Sequence, residues 1–236
     1  MELYIIRHGQ SSNNALEDPR NRVCDPPLTE LGQRQAETVA QHLATGARIA
    51  PWKNKASGQR GYGITQIYCS AMQRALHTAQ YIGQALDLAP QVWVDVHEHG
   101  GIYLDHGEDG GVVGYPGKTR AEILLEFPNY VLPETITEQG WWHQQGSESR
   151  TAYDERAARV AAVLHQWAAS DEQIALVTHG AFVNRLLKVL FNQPPGYDVY
   201  YFHLNTAISW LAFHSNGRLD VEYINWVNHL PVELVT

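Results

Sequence analysis

Three observations predict an α/β protein built on a mostly parallel central sheet. The chain opens with the apolar run Leu3 to Ile6, which does not alternate with polar residues and so reads as a strand buried on both faces. It runs directly into Arg7-His8-Gly9, and a second unit of the same kind, QIALVTHG, ends far downstream at His179-Gly180. Between them, strand-like segments alternate with stretches at helical period. Ligand sites in open α/β sheets lie just beyond the carboxyl ends of the strands, so both histidines fall where chemistry is expected, and Gly9 reads as a sharp turn after the first.

The elements follow in order. After Gln10-Ser11-Ser12-Asn13-Asn14 and a loop with Pro19, Pro26 and Pro27, Thr29 caps a helix to about Leu43, with Leu31, Ala36, Val39, Ala40 and Leu43 as its core stripe. Residues 45–63 read as a surface insertion. Ile64 to Cys69 is a second strand. Ser70-Ala71-Met72-Gln73 then has the form of a capping box opening a helix to about Leu86. Arg74 lies in its first turn, and because helical side chains tilt toward the N-terminus it points back to the preceding strand end, beside the first histidine. Gln91 to Val96 alternates as a third strand and leads into His97-Glu98-His99-Gly100-Gly101.

Residues 99–146 have too little apolar periodicity for a separate domain. They hold one short helix, Thr119 to Phe127, and read as a lid over the site. Ser149 to Ala169 is a long amphipathic helix, Ile174 to Thr178 a fourth strand, and Ala181 to Leu190 a buried helix. Thr206 to Phe213 and Leu219 to Ile224 form an antiparallel pair turning at Asn216-Gly217. The whole chain, 1–236, is expected to be a single domain.

Composition narrows the partners. With 44% hydrophobic and 18% charged residues, the 236-residue chain reads as a soluble protein with a sizeable core. A formal net charge of −8 argues against a nucleic-acid surface. No apolar run is long enough for a bilayer, no signal peptide is visible, and the two cysteines, Cys24 and Cys69, have no metal or redox spacing. A cytoplasmic protein is the expectation. Oligomeric state leaves no mark on the sequence.

Arg7, His8, Arg74, Glu98 and His179 all follow strand ends or helix starts, and converge if the strands lie side by side. Two guanidinium forks suit phosphate oxygens, and the helix opened at His179-Gly180 offers free N–H groups to an anion. A histidine with an unprotonated nitrogen can attack phosphorus while a carboxylic acid protonates the leaving oxygen. Glu98 is the expected acid; Asp105 and Glu108 are the alternatives nearby. Such phosphoryl transfer calls for no metal and no cofactor, since the cations and histidine neutralise the charge on the transferred group.

RHGQSSNN resembles the R-H-G-x-[T/S]-x-x-N signature of the histidine phosphatase superfamily, the phosphoglycerate mutase-like proteins. PLTELGQRQA, CSAMQRALHTA and THG resemble the further blocks of that family, in its order, so the likeness runs from Leu3 to about Phe213 apart from the two insertions. The resemblance implies a three-layer α/β/α sandwich. It implies His8 as the residue that becomes phosphorylated, Arg7, Asn14, Arg74 and His179 as phosphate-binding residues, and Glu98 as the proton donor, with His179 also catalytic.

Departures from the family pattern point away from a mutase. Glu98 is followed by His99-Gly100-Gly101-Ile102-Tyr103 rather than a Glu-Arg-x-Tyr-Gly stretch, and the chain has no Arg-Arg pair for a substrate carboxylate. The lid offers only Lys118 and Arg120 against Glu108, Asp109, Glu122 and Glu126. The expectation is therefore a phosphoric monoester hydrolase acting on a small or singly phosphorylated substrate through a phosphohistidine. A mutase, which is an isomerase, and a non-catalytic phospho-ligand binder are its rivals. Three lesser patterns stand beside these. His97-x-His99 has a metal-chelating spacing, but along a strand Glu98 would face the other way. Gly114 to Thr119 has the look of a P-loop, but Val112 stands where its first glycine belongs. Tyr103, Tyr115, Trp141 and Trp142 either stack on a substrate or anchor the loop.

Overall fold

The computed structural model describes residues 1–47, 61–108, 110–194, 196 and 199–236. Its strands are β1 (Glu2–Arg7), β2 (Gln66–Cys69), β3 (Gln91–Val92), β4 (Tyr103–Asp105), β5 (Val112–Gly114), β6 (Gln173–Thr178), β7 (Ile208–Phe213) and β8 (Leu219–Trp226). Its α-helices are α1 (Glu30–Thr45), α2 (Gln73–Leu86), α3 (Arg120–Glu126), α4 (Arg150–Gln166) and α5 (Gly180–Leu190). Six strands form one sheet in the order β3-β2-β6-β1-β7-β8. The first four run parallel, and β7 is antiparallel to both β1 and β8.

Strand side chains alternate between faces, and the core divides accordingly. Tyr4, Ile6, Ala175 and Val177 pack with Val39, Ala40 and Leu43 of α1 and Ala75, Leu76, Ala79 and Ile82 of α2. Leu3, Ile5, Ile174 and Leu176 pack on the other side with Val160 and Leu164 of α4 and Phe182, Leu186 and Leu187 of α5. The continuous apolar runs of β1 and β6 thus have a cause: both faces are covered by helices. Each fully buried Leu, Ile or Phe here contributes about 1.5–3 kcal/mol of transfer free energy. The result is an α/β fold with a mixed, mostly parallel sheet flanked by helices.

Several expected elements are corrected. The third strand stops at Val92, and Val94–Val96 forms a 3-10 turn. Its neighbour β2 ends at Cys69, whose carbonyl accepts from Trp93 N at 2.8 Å, so the chain beyond has no ladder to join. Ser70 does not cap α2: that helix begins at Gln73, and its first N–H donates to the Asp25 carboxylate at 3.0 and 3.2 Å. The capping box lies elsewhere, at Thr119 and Glu122 on α3. Much of the 45–63 insertion falls outside the described residues, but Tyr62 is not on the surface. It is buried edge-on against Tyr4, with ring centroids 5.1 Å apart. A short antiparallel hairpin, β4–β5, appears within 99–146. Ile102, Ile123, Phe127, Tyr130, Ile136, Trp141 and Trp142 of that segment join the core on the α1–α2 side.

Gly9 is needed for close approach rather than for a turn. It has no positive φ, but a Cβ on it would lie 2.4 Å from Gly32 O, and a Cβ on Gly32 would lie 2.0 Å from Gln10 O. The loop after His8 therefore rests directly on the first turn of α1. Gly32→Ala should push that loop away and cost about 1–3 kcal/mol of stability, as overpacking does. Denaturant unfolding measures this, and an unchanged midpoint would contradict the contact.

Candidate active site

The parallel register of β1 and β6 pairs Arg7 with Thr178, and His8 N donates to Thr178 O at 2.9 Å. The next residue along each strand direction is a histidine, so the two rings meet, with centroids 5.0 Å apart. Both are buried, His8 at 2% and His179 at 0% exposure.

His8 Nδ1 donates to its neighbour's carbonyl, Gly9 O, at 2.7 Å, since a carbonyl can only accept. Nε2 therefore keeps its lone pair, and Arg74 Nε donates to it at 3.1 Å. Burial first, then the Arg74 and Arg7 charges, hold His8 well below the usual imidazole range. It is a neutral ring with its free nitrogen aimed at a guanidinium. Asn205 Nδ2 fixes the His8 carbonyl at 2.9 Å, and Thr78 Oγ1 accepts from Gly9 N at 3.0 Å while donating to Arg74 O at 2.8 Å. Thr206 N bonds Arg7 O at 3.0 Å from a left-handed backbone, φ 55°, which a β-branched residue rarely adopts.

Arg74 is a buried cation and Arg7 a half-buried one whose Nε is enclosed. Arg7 Nη1 donates to His203 O at 2.6 Å, but its Nε has no partner among the described residues. The backbone of Gly180 lies beside that Nε; a Cβ there would be 3.4 Å away. Arg74 has Asp25 at 3.7 Å and Met72 Sδ at 3.2 Å. Burial lowers both guanidinium pKa values, opposed for Arg74 by Asp25 and Glu98 and for Arg7 by Glu98 and Tyr200. Both ring nitrogens of His179 are also buried without a partner among the described residues, and burial with the Arg74 charge keeps that ring well below the usual imidazole range too. Buried polar atoms are normally bonded, because an unpaired one costs about 1–3 kcal/mol. Unpaired nitrogens on Arg7 and His179, next to a guanidinium and a neutral His8, define a pocket that an anion would complete.

Glu98 arrives from the loop after the Val94–Val96 turn. Its carboxylate accepts from Phe182 N at 3.1 Å, Ala181 N at 3.4 Å and His99 N at 2.9 Å. The expectation that the α5 N-terminus is free for an anion is thus corrected: two of its N–H groups hold Glu98. Both pocket arginines feel the Glu98 charge, whereas Asp105 and Glu108 are exposed on the hairpin. Asn14 is exposed, and its Oδ1 accepts from Ser11 N at 3.1 Å and Ser11 Oγ at 3.0 Å, so its side-chain bonds among the described residues close its own loop.

The other candidates disperse. His97 is buried between Trp141 and Trp142, at centroid distances of 5.5 and 5.2 Å, while His99 lies tilted against Tyr153 at 4.5 Å. Among the described residues no three or more His, Cys, Asp or Glu side chains gather as a metal site. Trp141 and Trp142 anchor their segment, and Tyr115 OH meets His106 Nε2 at 3.1 Å. Lys118 pairs with Glu126 at 2.8 Å, and Arg120 Nη1 bonds Pro133 O at 3.0 Å. Sequence reasoning missed Asn205, Thr78 and His203, which brace the pocket. Lone polar residues in strand-like or helical text carry no signal of such a role. Among the described residues no helix is long and apolar enough to cross a membrane.

Adjacent parallel strand ends of an α/β sheet thus present two buried histidines with two arginines beside them. The chain belongs to the histidine phosphatase superfamily, branch 1, whose family model matches residues 3–226. It is similar to a Yersinia pestis protein named "probable phosphoglycerate mutase", 34% identical over 88 residues; the match covers 37% of this chain and only 33% of that relative. Among solved structures, it resembles a phosphoserine phosphatase from Entamoeba histolytica in complex with 3-phosphoglyceric acid (TM-score 0.61, 22% identity, 98% of this chain and 99% of that one). It also resembles a mycobacterial glucosyl-3-phosphoglycerate phosphatase complexed with VO3 (TM-score 0.58, 23% identity, 96% and 99%). At these identities the structural likeness speaks for the fold.

The buried histidines predict an acid-sensitive fold. Burial lowers His8 and His179 well below 6.5, His97 and His229 to about 3 and His203 to about 4. Below pH 6.5 the unfolded chain binds protons that the folded protein does not. Stability therefore falls as pH drops from 6.5 toward 4, by up to about 1.4 kcal/mol per pH unit for each such histidine. Thermal unfolding followed from pH 8 to 4 should show a midpoint nearly level above 7 and falling steeply below 6.5; a midpoint unchanged between 7 and 5 would contradict it.

Proposed function

We propose that this protein is a phosphatase that hydrolyses a small phosphomonoester through a phosphohistidine on His8. The observation that carries this reading is the state of His8: neutral, with Nδ1 committed to Gly9 O and the Nε2 lone pair facing Arg74. In the first half-reaction Nε2 forms a bond to phosphorus, the ester P–O bond breaks, and Glu98 in its acid form gives its proton to the leaving oxygen. Arg7, Arg74 and His179 donate to the phosphoryl oxygens, so the charge there is met by preorganised groups. In the second half-reaction Glu98 takes a proton from water, the water oxygen bonds to phosphorus, the P–N bond breaks, and phosphate leaves with His8 neutral again. Asn14 would join the pocket by turning from Ser11.

The fates of Lys118 and Arg120 support a singly phosphorylated substrate, since both are spent holding their own segment. That segment, anchored by Trp141 and Trp142 beside His97, is read as a lid bordering the leaving-group side. A mutase is the second reading, favoured by the partial likeness to the Yersinia pestis protein. With 3-phosphoglycerate, a phosphatase releases inorganic phosphate and a mutase yields the 2-isomer; product analysis separates them.

His8→Ala should lower kcat/KM for an aryl phosphate by about 10³-fold or more, because it removes the nucleophile. Wild-type protein quenched in alkaline denaturant should carry a base-stable phosphoryl group, lost on later acid treatment, that His8→Ala lacks. Its absence together with unimpaired phosphate binding would favour a non-catalytic binder. An excess of chelator should leave hydrolysis intact, and loss restored by a divalent ion would refute the scheme. The acid limb of kcat/KM should lie below pH 6.5, since a neutral His8 is required and its pKa is depressed. An acid limb at 6.5 or above would show that His8 does not titrate as placed.

A further inference from the structure

Glu98 stands on a loop, yet the chain ahead of it is gripped at three successive carbonyls. Arg156 Nη1 donates to Asp95 O at 2.7 Å and to His97 O at 2.9 Å, and Thr178 Oγ1 donates to Val96 O at 2.6 Å. The rest of the Arg156 fork is spent on one carboxylate: Nε to Glu148 Oε1 at 2.8 Å and Nη2 to Glu148 Oε2 at 2.7 Å. Glu148 N in turn donates to Gly100 O at 3.0 Å. One ion pair thus holds the backbone on both sides of Glu98. Both partners are buried, Arg156 at 2% and Glu148 at 6% exposure. The guanidinium carbon also lies 4.9 Å from the ring centroid of Phe182, the residue whose N–H bonds the Glu98 carboxylate.

A buried ion pair contributes little net stability, because desolvation offsets the attraction. An apolar pair of similar volume would fill this space as well. What it would lack is a planar fork able to bond two carbonyls and a carboxylate at once, and a lysine would lack it too. Glu148 also lies just beyond the 99–146 segment, so the same pair ties the end of that segment to the Glu98 loop.

We propose that Arg156, held by Glu148, is the positioning residue that sets the Glu98 carboxyl for proton transfer to the leaving oxygen. This rests on the reading of Glu98 as the acid. Displacing the carboxyl by an ångström is enough to slow a positioned proton transfer by about 10²-fold. In the first half-reaction the loss falls on substrates whose leaving group needs the proton.

The test compares p-nitrophenyl phosphate, whose leaving group departs as an anion, with glycerol 1-phosphate, whose alkoxide must be protonated. Arg156→Lys should lower kcat/KM, which reports phosphoryl transfer to His8 and not the later hydrolysis shared by both esters, by about 10–100-fold for the alkyl ester and by less than about threefold for the aryl ester. Glu148→Gln should shift the ratio in the same direction by a smaller factor, and it carries the test if circular dichroism shows Arg156→Lys unfolded. Equal losses on both esters, or none, would overturn the proposal and leave Arg156 a packing residue. Glu98→Gln is the reference. If it discriminates between the esters and the Arg156 and Glu148 variants do not, the positioning role alone fails. If Glu98→Gln itself does not discriminate, the assignment of the acid fails, and the proposal with it.

Discussion

The pairing of β1 with β6 is the constraint on which the rest depends. Parallel register opposes Arg7 to Thr178, so the chain leaves both strands at the same level and in the same direction. Two histidines distant in sequence are thereby held with ring centroids 5.0 Å apart. A slip of one residue would send alternate side chains to the wrong face and separate the rings. The slip is prevented by the core, because Tyr4, Ile6, Ala175 and Val177 belong to one layer and Leu3, Ile5, Ile174 and Leu176 to the other.

The pocket at this junction is electrostatically incomplete. One buried and one half-buried guanidinium are balanced only partly, by Asp25 at 3.7 Å from Arg74 and by the Glu98 charge. Among the described residues the nitrogens of His179 and Nε of Arg7 have no hydrogen-bond partner. Such a site is costly to fold and gains most from a ligand that brings several acceptor oxygens and negative charge. Low polarity raises both the cost of the empty pocket and the strength of each bond to an anion. It also keeps both histidines neutral, which leaves His8 with a lone pair to use.

Support for the pocket comes from residues far apart in the chain: Asn205 on the His8 carbonyl, Thr78 under Gly9, Gly32 against Gln10, and Arg156 around Glu98. None adds a charged group to the pocket. Asn205, Thr78 and Arg156 satisfy backbone groups that the loops between strand end and helix start leave unpaired, and Gly32 lets Gln10 pack against α1, so those loops are held in one conformation.

The sequence by itself determined the sheet's central strands, the long helices and the cluster Arg7, His8, Arg74 and His179, because each rests on a short-range rule. Apolar runs mark doubly covered strands, and side-chain tilt aims Arg74 at the strand end. Tertiary structure decided the rest. Val94–Val96 turned from strand to 3-10 because β2 had ended beside it. The α2 cap passed from Ser70 to Asp25, which lies 48 residues before the N–H it accepts. The free helix end expected at His179-Gly180 is held by Glu98, and Asn14 turned to Ser11. In these cases a polar group took the partner nearest in space, and spacing along the chain does not encode which partner that is.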